Sequence, residues 1–499
     1  LSPSSESAPS RARVLLWLST ATLTGSVIMG LELAAFRLYA PYFGYSIYVW
    51  GSLIAVVMLA LSVGYAAGGW LADRSRTDTP LYVVILASAF YQLVIVFTVR
   101  GLLRALWQWG EFSGTVTATL VIFAPPMTAL AVTSPYVVRL LARAGHVGTM
   151  AGRVYAVSTL GSIAGIFATS FYLVPRLGTH RTLQLLCLVS ALVGTAGLVG
   201  RRRAAVAAVA PLAALAFVPT PPLPEGVVWR SESAYNFVWV VKREGLMWLV
   251  LNDARFFQTI RREDAPLTGY YHDDFALGPL LAPSRRLLVL GMGAGGSIAA
   301  TRAVAPDIEV DAVEIDPEVV EVGRRFFNLR PGEGNLRVHV ADARPWLARE
   351  RKLFDIVHVD LYHGGPYVPF YLATEEFYQL VRDRMESDSV LMMNIYDVSP
   401  HRELLHATIA TLRRVFDSVF VQSREDGNHI TLGFRRAVSL GDVRARLEST
   451  EAPEKIRELA RRAAEQLGEL APPPDTLIFT DDRAPVEEMT RRMLAWKKR

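Results

Sequence analysis

Apolar positions come in seven long runs over the first 218 residues, near 13–35, 48–71, 81–99, 115–138, 155–175, 180–200 and 204–218, and in short, spaced runs thereafter. A helix needs roughly 20 predominantly apolar residues to cross a bilayer core, so residues 13–218 are expected to form a transmembrane helical domain of about seven helices. The last run, AAVAAVAPLAALAFV, is the weakest, being short, alanine-rich and interrupted by Pro211. Beyond a proline-rich linker at 219–226, the stretch VVWRSESAYNFVWVVKREGLMWLVLNDARFFQT reads as short strands with turns at Arg243–Gly245 and Asn252–Asp253. This predicts a small antiparallel β lobe over 227–266. From 267 to 438 the runs LLVLG, IEVDAVEID, LRVHVAD, FDIVHVD and VLMMNIY alternate with helical stretches, the pattern of a parallel sheet. The fold class expected is a multi-pass α-helical membrane domain followed by an α/β Rossmann-like domain with a small N-terminal β lobe. Residues 1–12 read as a disordered tail. Residues 439–499 read as a C-terminal helical extension, its charged amphipathic part at 440–470 being a solvated surface rather than a partner site.

Composition agrees with two domains of different solvent. Hydrophobic residues make up 51% of the 499, more than an ordinary soluble enzyme carries, and the charged residues concentrate after Val218. The single cysteine, Cys187, lies in an apolar run, so neither a disulfide framework nor a cysteine metal site can be built. A net charge of +5 comes from scattered arginines rather than a basic block with interleaved aromatics, and nucleic acid is not an expected partner. The lipid bilayer is.

Two features of the apolar half carry open alternatives. Small residues in GYAAGG (Gly64 to Gly69) and STLGSIAG (Ser158 to Gly165) suit close helix packing or a substrate path. Glu32 is costly at membrane depth and either pairs with Arg37 one turn on or serves a function. Orientation produces a conflict. Arg11, Arg13, Arg74, Arg76, Arg139, Arg143, Arg153 and Arg201–Arg203 fall on the amino-terminal tail and alternate loops, which the positive-inside rule places in the cytoplasm. Seven crossings would put the C-terminal domain outside, away from cytosolic nucleotide-like metabolites. The expected resolution is that the seventh run does not cross or that one break is misread, leaving the catalytic domain in the cytoplasm.

The chemistry is concentrated at strand ends. In LLVLGMGAGG, residues Gly291, Gly293 and Gly295 let backbone approach a ligand, and Glu314 ends the next strand where an acid can accept two ribose hydroxyls. The third strand ends in Ala341-Asp342-Ala343, where the Asp342 carboxylate can meet an adenine amino group. Three strand ends in register point to a nucleoside-containing ligand. The fourth ends in Asp360, which either caps a turn or faces the reacting part of the ligand.

Together ESAYN (Glu232–Asn236), YYHDDFALGPLL (Tyr270–Leu281), GMGAGG, VEIDP, ADA, FDIVHVD and TEEFY (Thr374–Tyr378) resemble the spermidine synthase (polyamine aminopropyltransferase) family. The amino-terminal runs APYFGYSIYVWGSLIAV, SPYVVRL and AGRVYAVSTLGS, with TDDRAPVE (Thr480–Glu487), are similar to bacterial membrane proteins that fuse a multi-helix region to such a domain. The resemblance implies a class I methyltransferase-type sheet over 267–438, a bacterial inner-membrane location, and transfer of an aminopropyl group from decarboxylated S-adenosylmethionine to an amine, with methylthioadenosine released and no metal required. It implies Asp360 as the acid that orients and deprotonates the amine, Tyr271 as its helper and His272 in the same cleft. Glu314 would bind ribose, Asp342 and Ala343 the adenine side, and Asn236 and Gln258 the edge of the donor site. TDDRAPVE would fold back over the cleft or contact the membrane half. A homodimer is compatible with the resemblance.

Two departures bear on substrate. Ala294 stands where the family has an aspartate for the cationic amine end of the donor, and Leu361-Tyr362-His363 follow Asp360 where the family has a second acid for the far ammonium of a diamine. Tyr362, His363 and Tyr367 would then shape a different acceptor pocket or simply pack. S-adenosylmethionine itself as donor, with methyl transfer or intramolecular cleavage, and a ligand-binding regulator of a transporter-like membrane domain remain the alternatives.

Overall fold

The computed structural model describes residues 9–44, 46–142, 147–198, 223–253, 255–332 and 335–497 and divides into two compact units, residues 1–222 and 223–499. The seventh apolar run, 204–218, and the first half of the expected linker, 219–222, lie outside the described residues.

The first unit is helical. Among the described residues, five stretches are long and apolar enough to cross a membrane: Arg11–Phe43, Ile47–Arg74, Thr79–Trp109, Phe112–Ala142 and Val147–Leu198. The fifth has 52 residues, about twice what a bilayer needs, and breaks at Gly178, whose φ of 78° and ψ of 162° are not helical. It is therefore two legs, which accounts for the fifth and sixth runs of the sequence. Their directions follow from close contacts. A Cβ on Gly161 would lie 2.0 Å from the Thr22 carbonyl oxygen and one on Gly165 would lie 2.3 Å from that of Ser26, so the first leg runs parallel to the first helix. In the second leg Gly194 faces Leu86 and Gly197 faces Tyr82, so it runs antiparallel to the third helix. That helix starts beside the first, where Trp17 Nε1 donates to Asp78 at 3.1 Å. Six legs thus return residue 198 to the end of the bundle from which the first helix sets out.

The surface of this unit is apolar as well as its interior. Phe90, Phe97, Phe167 and Phe171 are 54–72% exposed, which suits lipid rather than water. Four glycines of the small-residue runs serve close helix packing. Gly64 and Gly68 press against the carbonyls of Thr128 and Val132, and Gly161 and Gly165 against the first helix. Gly161→Leu should therefore force these helices apart, and a clear drop in the thermal midpoint of the detergent-solubilised protein checks it. Gly69→Leu, at a position with open space around it, should leave that midpoint in place. Glu32 is buried with Oε2 unpartnered and makes no ion pair among the described residues, so Arg37 is not its partner. Cys187 is buried and free.

The second unit opens with an antiparallel four-stranded sheet, β1 (Val227–Glu232), β2 (Phe237–Arg243), β3 (Leu246–Leu251) and β4 (Thr259–Arg262). One face buries Val238, Val240, Leu249 and Leu251 with Ala294, Val319 and Val322. This seats the lobe over the glycine turn. The main sheet contains β5 (Arg286–Leu290), β6 (Glu309–Glu314), β7 (Leu336–Val340), β8 (Phe354–Val359), β9 (Met385–Tyr396), β10 (Ser418–Ser423), β11 (Asn428–Phe434) and β12 (Leu467–Gly468). Its order is β12-β10-β11-β9-β8-β5-β6-β7, with β7, β6, β5, β8 and β9 parallel and β11 antiparallel to β9. Chain order reverses between β5 and β8, and a ligand crevice opens at such a switch point, beyond the carboxyl ends of the strands.

The C-terminal extension is not helical throughout. Helices Leu440–Glu448 and Glu454–Gln466 bury Val443, Leu447, Ile456, Leu459 and Ala463 in the core under the main sheet, so 440–470 is only half a solvated surface. The two-residue β12 then pairs with β10. The following segment packs Phe479 and Val486 against Val368, Ala373 and Leu404, and Asp481 takes a bidentate ion pair from Arg344 at 2.7 and 2.5 Å. TDDRAPVE thus backs the loop that follows β8.

Candidate active site

At the β5/β8 switch point the two chain crossings touch. Asp360 N donates to the Leu290 carbonyl at 3.0 Å, and Gly291, at φ 81°, leaves room for the Asp360 carbonyl, which a Cβ would meet at 2.2 Å. The turn continues to Gly293, whose N–H donates to Glu314 Oε2 at 3.0 Å, while Asp316 N donates to Oε1 at 3.1 Å. Burial pushes the Glu314 carboxyl up to about 7, against the pull of these backbone donors. Backbone N–H groups thus hold both oxygens, and a carboxylate oxygen has two lone pairs, so a hydroxyl can be accepted as well. Gly295 has a left-handed φ of 90° and faces Leu329 rather than the cleft. Ala294 N is taken by Thr259 Oγ1 at 3.0 Å.

One cleft is lined by Asn236, Gln258, Gly291, Gly293, Glu314, Asp342, Ala343 and Asp360, and also by His272, Tyr362 and His363. Asn236 is held by Asp316, to which its Nδ2 donates at 2.8 Å, and by Asn252. Asp342 caps the helix Ala343–Arg349 through Arg344 N at 3.0 Å and accepts from Tyr371 Oη at 2.8 Å. His272 Nε2 lies 2.9 Å from the Gln258 carbonyl oxygen. That oxygen can only accept, so Nδ1 is left as a bare acceptor, buried and unpartnered. Burial lowers this imidazole to about 4 and keeps it neutral. Tyr367 lines neither this cleft nor the adjoining chamber, but it interacts electrostatically with Arg255 of the chamber wall, and its carbonyl accepts from His363 N at 2.7 Å.

Asp360 is the centre of the arrangement. Tyr271 Oη donates to Oδ2 at 3.0 Å and Asn394 Nδ2 to Oδ1 at 3.1 Å. Burial nevertheless pushes its carboxyl up to about 7, the two donors offsetting only part of that rise. A carboxyl at this value takes and releases a proton near neutral pH, as a general base requires. Beyond it a second chamber begins, lined by Tyr271, Tyr362 and Asn394 as well as aromatic residues.

Asn394, Thr259 and Tyr371 escape a reading of strand-end motifs. Asn394 had a signal, as the one amide in the apolar run VLMMNIY. β9 runs parallel to β8 with Met393 opposite Val359, so the next position necessarily stands beside Asp360. Tyr371 has none, because its place depends on a loop.

A probable polyamine aminopropyl transferase of Bifidobacterium longum (strain NCC 2705) is 26% identical over 278 residues, 52% of this chain and 61% of that protein. The polyamine aminopropyltransferase of Vibrio vulnificus (strain CMCP6) is 32% identical over 172 residues, 34% of this chain and 55% of the relative. The chain therefore spans less than two thirds of either relative's length. A solved probable spermidine synthase from Corynebacterium glutamicum ATCC 13032 superposes with a TM-score of 0.40 at 16% identity, covering 52% of this chain and 97% of that one. Residues 270–423, which hold the glycine turn, Glu314, Asp342 and Asp360, match the spermine/spermidine synthase domain.

Proposed function

We propose that this protein is a membrane-embedded aminopropyltransferase that moves the aminopropyl group of decarboxylated S-adenosylmethionine to an amine and releases methylthioadenosine. One observation carries the reading: the Asp360 carboxyl, held by Tyr271 and Asn394, stands between a cleft with nucleoside-binding acids and a separate chamber. Glu314 receives the ribose hydroxyls and Asp342 the adenine amino group, with Asn236 and Gln258 closing the edge and His272 Nδ1 free to accept an N–H.

The amine enters from the chamber and attacks the carbon beside the sulfonium. A C–N bond forms as the C–S bond breaks, the sulfur keeps the bonding pair, and the proton lost by the amine passes to Asp360. The leaving group is already good, so alignment and proton acceptance are the protein's main tasks.

The apolar unit supports a cytoplasmic site in a bacterial inner membrane. Arg11, Arg13, Arg74, Arg76, Arg139 and Arg153 gather at the end of the bundle that also receives residue 198, and positive charge favours the cytoplasmic side. Up to residue 198 the described legs are even in number, as a cytoplasmic site requires of the crossings.

Incubation of the full-length protein with decarboxylated S-adenosylmethionine and a panel of amines, followed by mass spectrometry of the nucleosides, tests the reading. Amine-dependent methylthioadenosine is expected. Formation of S-adenosylhomocysteine from S-adenosylmethionine instead would establish methyl transfer, and tight binding without turnover would establish a regulator.

A further inference from the structure

The chamber beyond Asp360 holds about 270 Å³ of open space, and its charges are already matched. Arg255 binds Asp253 through Nη2 at 2.5 Å and through Nε at 2.9 and 3.0 Å. Asp426 is held by Arg424 at 2.9 Å and by Asn428 N at 3.0 Å. Arg424 also reaches the buried Asp274 at 2.6 Å. Among the described residues, then, no carboxylate lining the chamber lacks a cationic partner, Asp360 at its inner end excepted. The remaining wall is largely aromatic: Phe256 meets Tyr396 edge-on at 5.8 Å, and Phe257 meets Tyr270 at 5.4 Å.

An amine bound here presents its reacting nitrogen to Asp360 and its other end to these rings. A second ammonium at that end would leave water without gaining an unpaired carboxylate, which is unfavourable. An apolar or aromatic end gains burial.

We propose that the acceptor is a primary monoamine whose non-reacting end is apolar or aromatic, in preference to a dicationic diamine. This rests on the aminopropyl-transfer reading above and adds the class of acceptor.

The test uses the full-length protein in detergent with decarboxylated S-adenosylmethionine and compares kcat/KM for hexylamine, phenethylamine and 1,4-diaminobutane, reading methylthioadenosine. A monoamine is expected to exceed the diamine at least tenfold. A preference for the diamine overturns this proposal while leaving aminopropyl transfer intact, whereas no methylthioadenosine with any amine overturns both. Phe256 is half-buried on the chamber wall, so Phe256→Asp adds an acid there. It should shift the diamine-to-monoamine ratio toward the diamine at least tenfold, and an unchanged ratio in a folded variant overturns the placement of the acceptor's far end.

Discussion

Asp360→Asn is expected to lower kcat by about 10²–10⁴-fold, the usual contribution of a positioned general base, while the KM for the nucleoside donor changes little. The substitution keeps the local geometry. An amide oxygen can still accept from Asn394, and the amide nitrogen can donate to the Tyr271 hydroxyl. What disappears is the site for the amine's proton. In the unsubstituted enzyme kcat/KM should rise with pH and level off above about 7, following ionisation of this carboxyl. For kcat the midpoint should lie lower, because a bound sulfonium favours the charged form.

The same variant should be more stable than the parent above neutral pH. Asp360 has its value raised from 3.8 to about 7 in the folded protein. Between those values the folded state binds the extra proton, so stability falls as pH rises through that window. The full loss is on the order of 4 kcal/mol once the carboxyl is ionised. Asn carries no such cost. At pH 8 its Tm should be higher than that of the parent, with the difference fading toward pH 4, and a variant that is active or less stable at pH 8 would count against the assignment of Asp360.

How far these residues announce themselves depends on how local their signal is. Glu314, Asp342 and Asp360 each follow an apolar run short enough to be a strand, and parallel strands of such a sheet bring their carboxyl ends to one edge. Their common location can therefore be read before any contact is known. The break at Gly178 is visible only as a glycine between two apolar runs, and the direction of the following leg depends on which helices receive Gly194 and Gly197. β12 has two residues and no pattern at all; it exists because β10 offers an edge. Arg344 and Asp481 are 137 residues apart, and no periodicity connects them. The same limit applies to the acceptor chamber. Its composition rests on Arg255, Asp426 and Tyr396 arriving from three separate loops or strand ends, so the absence of a second acid directly after Asp360 could be read from the chain, but not what lines the chamber instead.

Gly291→Ala is expected to remove most activity from a protein that still folds. At φ 81° an L residue is strained by roughly 1–2 kcal/mol, and the added Cβ would sit 2.2 Å from the Asp360 carbonyl oxygen and 2.8 Å from its carbon. Both obstacles are backbone, so no rotamer change relieves them, and overpacking adds roughly 1–3 kcal/mol. Relief must come from separating the ends of β5 and β8, which moves the Asp360 carboxyl away from Tyr271 and Asn394. A displacement of about 1 Å is enough to lower turnover some 10²-fold. Gly245→Ala is the matching control, with a similar φ of 75° and open space around its Cβ. It should lose about 1 kcal/mol from backbone strain alone, with kcat unchanged. If Gly291→Ala retained activity within threefold of the parent while Tm fell equally in both variants, the glycine would be needed only for its conformation. If activity fell selectively at Gly291, its hydrogen atom would be what lets the two chain crossings meet, and the position of Asp360 would be set by that contact as much as by the strand that carries it.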